Sequence, residues 1–295
     1  MRKKRKIGLA LSGGAARGLS HIGVLEILED LGVEIHAVSG TSAGAVVGAL
    51  YCSGTDIKEM ESYAESMDWR SFLLFADLTL SRKGIINGRR VEEELDSFLG
   101  NKTFRECNKD FCCVAVDILK REKVIFTSGK LKDAVRASIS IPGFFAPVYL
   151  EDKILVDGGI KEPLPTEAIK ILDVDFIIAS SIVFKKGEKK DKDQNIIDEE
   201  YIGKNKNKII SFKKSFDQKR RNNKKLSIKS IMDVSLNIIH EEMIKNYLEK
   251  ADIVIEPEVG DFGFFDFVHG KEIIERGRIA AIKKIPEIKE KLRLK

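Results

Sequence analysis

Between Lys6 and Tyr51 the chain reads KIGLALSGGAARGLSHIGVLEILEDLGVEIHAVSGTSAGAVVGALY, and the order of patterns in this stretch decides the fold class. Residues 6–11 are an apolar run of strand length, a Gly-rich turn follows, and residues 18–31 carry apolar side chains at helical spacing. A second strand-like run at 34–39 leads through another Gly-flanked turn into an apolar helix at 43–51. Strand, turn, helix, strand, turn, helix is the order of parallel βαβ units. The sequence therefore predicts an α/β fold, with a mostly parallel central sheet and helices on both faces. Working outward, further strands are expected at 111–117, 124–127, 154–156, 176–181 and 253–256, and helices at 89–99, 165–172, 231–250 and 270–284. No internal repeat is visible, and residues 1–295 read as one domain.

Composition agrees with a globular class. With 43% hydrophobic residues, 4 Cys and 6 Pro in 295 residues, disulfide scaffolds, collagen-like repeats and wholly disordered chains are excluded. The cysteines, Cys52, Cys107, Cys112 and Cys113, form no C-x-x-C pair, and the adjacent two would point to opposite faces of a strand. They read as buried thiols in a reducing compartment, with no metal site. Residues 1–6 are basic, but the apolar run after them ends at Ser12, too short for a leader. No stretch approaches the ~18 apolar residues of a membrane span. A cytoplasmic protein is expected, with contact to the inner face of the membrane limited to a peripheral one.

The net charge of +5 is unevenly distributed. Residues 185–229 hold 16 Lys and Arg against 7 Asp and Glu, a surplus of nine, so the remainder of the chain is net negative. This stretch is also poor in apolar residues and reads as a basic insertion in the domain. It is either a solvated loop or a contact for an anionic membrane surface. Sparse aromatics and the lack of a nucleic-acid motif argue against a nucleic-acid partner.

Gly40-Thr41-Ser42-Ala43-Gly44 fits G-x-S-x-G, a sharp strand-to-helix turn on which a serine can project as a nucleophile. Three fixed positions are weak alone, but an apolar strand enters this turn and an apolar helix leaves it. Ser12-Gly13-Gly14-Ala15-Ala16-Arg17-Gly18 lacks the Lys-Ser/Thr ending of a phosphate loop and the spacing of a dinucleotide fingerprint. What remains is a turn of bare N–H groups at a helix N-terminus, suited to an anion. In a parallel sheet it would lie beside Ser42, as acyl transfer requires. No histidine has a persuasive setting for a general base: His240 and His269 read as surface or capping residues. Asp157, followed by Gly158 and Gly159 at the end of an apolar run, is read either as a turn cap or as a carboxylate at the sheet edge. The Phe-rich run 261–267 reads as core, with an acyl-chain groove as the alternative.

Together with Ala137-Ser138-Ile139-Ser140-Ile141-Pro142, these motifs resemble, in kind and order, the patatin-like phospholipase family of serine acyl hydrolases. The resemblance covers residues 6–180 clearly and 251–277 more loosely. It implies a lipid acyl hydrolase of the phospholipase A or esterase type, acting on phospholipid or other acyl esters through a Ser–Asp dyad, with no metal and no cofactor. Carried over, Ser42 is the nucleophile, Asp157 the base, and Gly13, Gly14 and Ala15 line the oxyanion hole. Gly40, Gly44, Gly158 and Gly159 support the turns, and Arg17 either orders its loop or faces a phosphate. Related chains show Asn before Pro after the D-G-G motif, whereas here Lys161-Glu162 precedes Pro163. Two other functions use the same residues differently: a non-catalytic lipid- or partner-binding module of this fold, and an acyltransferase or thioesterase. Oligomeric state is not legible.

Overall fold

The computed structural model describes residues 5–66, 89–182 and 228–294. Five parallel strands make the body of one sheet: β1 (Ile7–Leu11), β2 (Ile35–Thr41), β3 (Asp110–Asp117), β7 (Phe176–Ser180) and β8 (Ile253–Ile255). Three antiparallel strands extend it, β4 (Glu122–Phe126), β5 (Val148–Leu150) and β6 (Lys153–Asp157). The spatial order is β5-β6-β3-β2-β1-β7-β8, with β4 also paired to β3. The expected mostly parallel α/β architecture is the one observed.

The parallel strands are buried on both sides, as their unbroken apolar runs require. Leu9, Leu11, Val38 and Cys113 face one core, and Ala10, Ala179, Cys112 and Val114 face the other side. The two adjacent cysteines thus point to opposite faces, and all four are free thiols. Helices α1 (Ser20–Asp30), α2 (Ala43–Cys52), α3 (Ile57–Ser66), α4 (Arg89–Leu99) and α5 (Leu131–Ser138) lie in the first half of the chain; α6 (Ile228–Leu248), α7 (Gly270–Ile282) and α8 (Ile285–Leu292) lie in its last quarter. Burial of α1, α2 and the end of α7 with β1 and β2 forms the larger core.

Three helices, α3, α5 and α8, are not among those expected from sequence: each has apolar residues at helical spacing, such as Leu131, Ala134 and Val135 in α5, but each spans only eight to ten residues. The helix expected at 165–172 is a 3₁₀ segment, Ala168–Leu172. Pro163 and Pro165 lack N–H groups to donate, and the chain before it bends at 163–164 and turns at 166–167. Of the basic stretch 185–229, all but the last two residues lie outside the described residues, and those two already belong to α6. Among the described residues no helix is long and apolar enough to cross a membrane.

Candidate active site

Ser42 is the link between β2 and α2, and its backbone has φ 53° and ψ −122°, a conformation that L-residues rarely adopt. The chain turns this sharply because Gly40 and Gly44 let backbones meet: a Cβ on Gly44 would lie 2.2 Å from the Leu11 carbonyl oxygen, and one on Gly40 would lie 2.4 Å from that of Gly44. The expected nucleophile elbow is present in geometry, and Ser42 is buried at the floor of a cleft.

Register brings the carboxylate to it. Thr41 is opposite Val114 on β3, and the next residue of β3, Ala115, is opposite Asp157 on β6. Asp157 therefore stands two strands across from Ser42 at the same height. Its carboxylate does two things at once: Oδ1 accepts the Gly159 N–H at 2.7 Å and caps the short 3₁₀ turn Gly158–Ile160, while Oδ2 is buried and accepts no fully formed hydrogen bond. Burial raises its pKa from the usual carboxylate range to about 6, partly offset by the nearby Ser42 hydroxyl and by the Gly159 N–H. Asp157 is thus a turn cap through Oδ1, and its carboxylate also lies at the end of β6, at the height of Ser42.

The Gly-rich turn follows β1 and lies beside Ser42, with the Gly13 Cβ position 3.3 Å from the Ser42 Cβ. Its N–H groups are not equivalent. Gly13 N–H already donates to the Pro163 carbonyl at 2.9 Å, and Ala16 N–H to Phe264 at 3.1 Å. Gly14 and Ala15 N–H donate to no acceptor among the described residues, and both residues line the cleft. Gly13 thus shapes the turn, and the undonated N–H groups at the cleft belong to the two residues that follow it. Arg17 is 3% exposed; its Nε donates to the Phe262 carbonyl at 2.8 Å and its guanidinium reaches Asn237 at 3.3 Å. The first of its two readings, ordering the loop, has these contacts behind it.

Read from sequence, the Ala137–Pro142 segment has no role beyond its resemblance. In the structure it braces both Ser42 and Asp157. Ser138 Oγ accepts the Ser42 N–H at 3.0 Å and donates to the Val114 carbonyl at 2.7 Å, and the Ser140 carbonyl accepts the Asp157 N–H at 3.0 Å. Ser140 Oγ in turn accepts from the buried Arg136 at 2.8 Å. Sequence carries no signal for this role of Ser138: that its hydroxyl both accepts and donates inside the core is visible only with its partners.

His240 corrects the expectation of a surface or capping residue. It lies on α6 against the D-G-G turn, where a Cβ on Gly159 would come within 3.0 Å of its Nε2. Burial lowers its pKa, opposed by its hydrogen bond to the Gly159 backbone. With Leu236 and Asn237 it forms one wall of the cleft, and Ile141, Pro142, Ile160 and Phe264 supply the apolar remainder. The Phe run divides accordingly: Phe262 is core, whereas Phe264 stacks on Phe144 at 4.9 Å and reaches the cleft. Glu162, which with Lys161 departs from the expected pattern before Pro163, turns away into the core; its carboxylate accepts from the N–H groups of Glu167 and Ala168 at 2.9 Å and pairs with Lys123 at 2.8 Å. Among the described residues no cluster of His, Cys, Asp or Glu could hold a metal ion.

Known proteins resemble this chain in sequence and in fold. An NTE family protein of Mycobacterium tuberculosis (strain ATCC 25618 / H37Rv) is 36% identical over 177 residues, 60% of this chain and 49% of that one. Lysophospholipase NTE1 of Phaeosphaeria nodorum is 34% identical over 181 residues, 60% of this chain and 12% of that one. This chain thus spans about half the length of the first and a small part of the second. The crystal structure of VipD from Legionella pneumophila superposes with a TM-score of 0.51 at 15% identity, covering 97% of this chain and 67% of that one, a likeness of fold. The sequence model of the patatin-like phospholipases matches residues 9–170, which contain the Gly-rich turn, the elbow, the Ser138 brace and Asp157. With more than half its length matched and all four segments meeting at one cleft, the chain belongs to the patatin-like phospholipase family.

Proposed function

We propose that the protein is a lipid acyl hydrolase that cleaves carboxylic esters through a Ser42–Asp157 dyad. The observation that carries this reading is the meeting of a strained, buried serine, a buried carboxylate with one unengaged oxygen, and two undonated N–H groups in one cleft. Ser42 Oγ attacks the acyl carbonyl as its proton passes to Asp157 Oδ2. The tetrahedral oxyanion is held by the N–H groups of Gly14 and Ala15, donors fixed in place before the charge develops. Collapse expels the alcohol, which takes the proton from Asp157, and water then releases the acyl group by the same steps in reverse. Aspartate is a weak base in water, and burial strengthens it, since a pKa of about 6 leaves it ionised at neutral pH yet more basic than an exposed carboxylate.

The substrate class we propose is a phospholipid or lysophospholipid presented at a surface. The apolar wall of Ile141, Pro142, Ile160 and Phe264 suits an acyl chain, and exposed Val234, Ile238 and Ile239 flank the cleft on α6. The positive surplus of residues 185–229 would add attraction to an anionic leaflet. The deciding experiment is lipid profiling with the purified protein and its Ser42→Ala variant. Free fatty acid and lysolipid should appear with the first and not the second. Equal release by both would overturn the serine mechanism, and no release from any lipid by folded protein that a fluorophosphonate still labels would leave soluble esters as the substrate class.

A further inference from the structure

One buried polar group that this acyl transfer does not consume sits directly beneath the Gly-rich turn. His21, at the start of α1, is fully buried, and both ring nitrogens are engaged: Nε2 lies 2.9 Å from the Ser12 carbonyl oxygen and Nδ1 lies 2.8 Å from Ser180 Oγ. A carbonyl oxygen can only accept, so Nε2 carries the proton and Nδ1 accepts from the Ser180 hydroxyl. Burial keeps the ring neutral, with its pKa pushed down to about 4.

The Ser12 carbonyl and the Gly13 N–H belong to one planar peptide unit. His21 holds one edge of that plane, and the Pro163 carbonyl, 2.9 Å from Gly13 N, holds the other. Ser12 is pinned further: its N–H donates to the Ser180 carbonyl at 3.1 Å and its Oγ accepts the Ile182 N–H at 2.9 Å. The next peptide plane carries the Gly14 N–H. Between the two planes stands Gly13, whose dihedrals have no Cβ to restrict them. A hinge this free keeps the Gly14 N–H in one direction only when both sides of it are held: the turn after it by Arg17 N–H on the Gly14 carbonyl at 3.2 Å and Ala16 N–H on the Phe264 carbonyl at 3.1 Å, and the plane before it by His21 and Pro163.

We propose that His21 is a positioning residue for the oxyanion turn: by donating from Nε2 to the Ser12 carbonyl it fixes the Ser12–Gly13 peptide plane and with it the direction of the Gly14 N–H. This rests on the Ser42 acyl-transfer reading. It differs from a general-base role, since the ring never touches substrate or the reacting atoms, and from a purely structural role, since it acts on transition-state binding.

The test compares His21→Asn, His21→Gln and Ser42→Ala by kcat and KM on a soluble short-chain ester, fluorophosphonate labelling rate and melting midpoint. An Asn amide fills the Nδ1 position and falls short of Ser12, whereas a Gln amide can place a donor near Nε2. His21→Asn should lose about 100-fold in kcat and in labelling rate, as for a misdirected oxyanion donor, with KM within about threefold. His21→Gln should recover kcat to about three- to tenfold below wild type, again with KM unmoved. Wild-type kcat in folded His21→Asn, or equal losses in Asn and Gln that track their melting midpoints, would overturn the proposal. Should His21→Asn not fold, His21→Gln decides alone: unchanged kcat, or a loss carried by KM, overturns it. Residual hydrolysis in Ser42→Ala would instead overturn the serine reading and this inference with it, whereas an inactive Ser42→Ala beside a fully active His21→Asn removes only the role of His21.

Discussion

Ser42 and Asp157 each hold a conformation or a charge state that the fold would be more stable without. A non-glycine residue at φ 53°, ψ −122° stores roughly 1–3 kcal/mol of backbone strain. Ser42→Gly should release part of it and raise unfolding free energy by about 1 kcal/mol in denaturant titration, after the entropy that glycine adds to the unfolded chain. Ester hydrolysis should vanish. No gain in stability would mean that the elbow is not strained. For Asp157, a folded pKa of about 6 against 3.8 means that the native state holds a proton the unfolded chain has released between about pH 4 and pH 6, so stability falls as pH rises through that window. The difference is worth about 3 kcal/mol above pH 6. Asp157→Asn should therefore be inactive yet more stable than wild type at pH 8, with the advantage gone at pH 4. A melting midpoint at pH 8 below that of wild type would contradict the raised pKa. With Asp157 as base, kcat/KM for a soluble ester should be half-maximal near pH 6 and rise to a plateau above it. A profile flat from pH 4.5 to 8 would exclude it.

Elements reach the cleft from opposite halves of the chain, and those that brace it are short. The last residue of α5 hydrogen-bonds the backbone of Ser42 and of β3 through Ser138. Ser138→Ala leaves a buried N–H and a buried carbonyl without this partner, which costs about 1–3 kcal/mol in stability. It should also lower kcat at least tenfold while leaving KM near wild type, because the loss falls on the nucleophile's placement. Chemical denaturation and steady-state kinetics on the same preparation separate the two effects, and wild-type kcat in Ser138→Ala would show that the elbow holds itself. Most strands and long helices were legible in sequence, since their apolar periods are set by burial on one or two faces. The α5 helix was not: Leu131, Ala134 and Val135 stand at helical spacing, but eight residues are too short for that spacing to be told from a short apolar strand. Nor was the setting of His240, because which face of α6 meets the D-G-G turn depends on how α6 docks on the sheet.

For the whole molecule, the proposed basic contact has a direct test. Replacing residues 185–227 by a short Gly-Ser linker, up to the start of α6 at Ile228, should leave soluble-ester turnover intact. It should weaken binding to anionic vesicles and leave binding to neutral ones unchanged. Wild-type binding should fade as salt rises, since the attraction decays over roughly 8 Å at physiological ionic strength. Equal binding by both chains at low salt would make the stretch a solvated loop, and lost turnover in a folded deletion would make it part of the active site.

By itself the sequence determined the parallel α/β class, the elbow at Ser42, the Gly-rich turn and the candidate carboxylate. Each of these is local: an apolar period, or small residues where backbones must meet. Only the tertiary structure decided which N–H groups of the turn stay undonated, that one oxygen of Asp157 caps a turn while the other is left unengaged, and that Glu162 turns inward. The first depends on partners far along the chain, such as Pro163 for Gly13, and the third in part on Lys123, 39 residues from Glu162. A hydrogen bond is set by distance and direction in space, and no spacing along the chain encodes it.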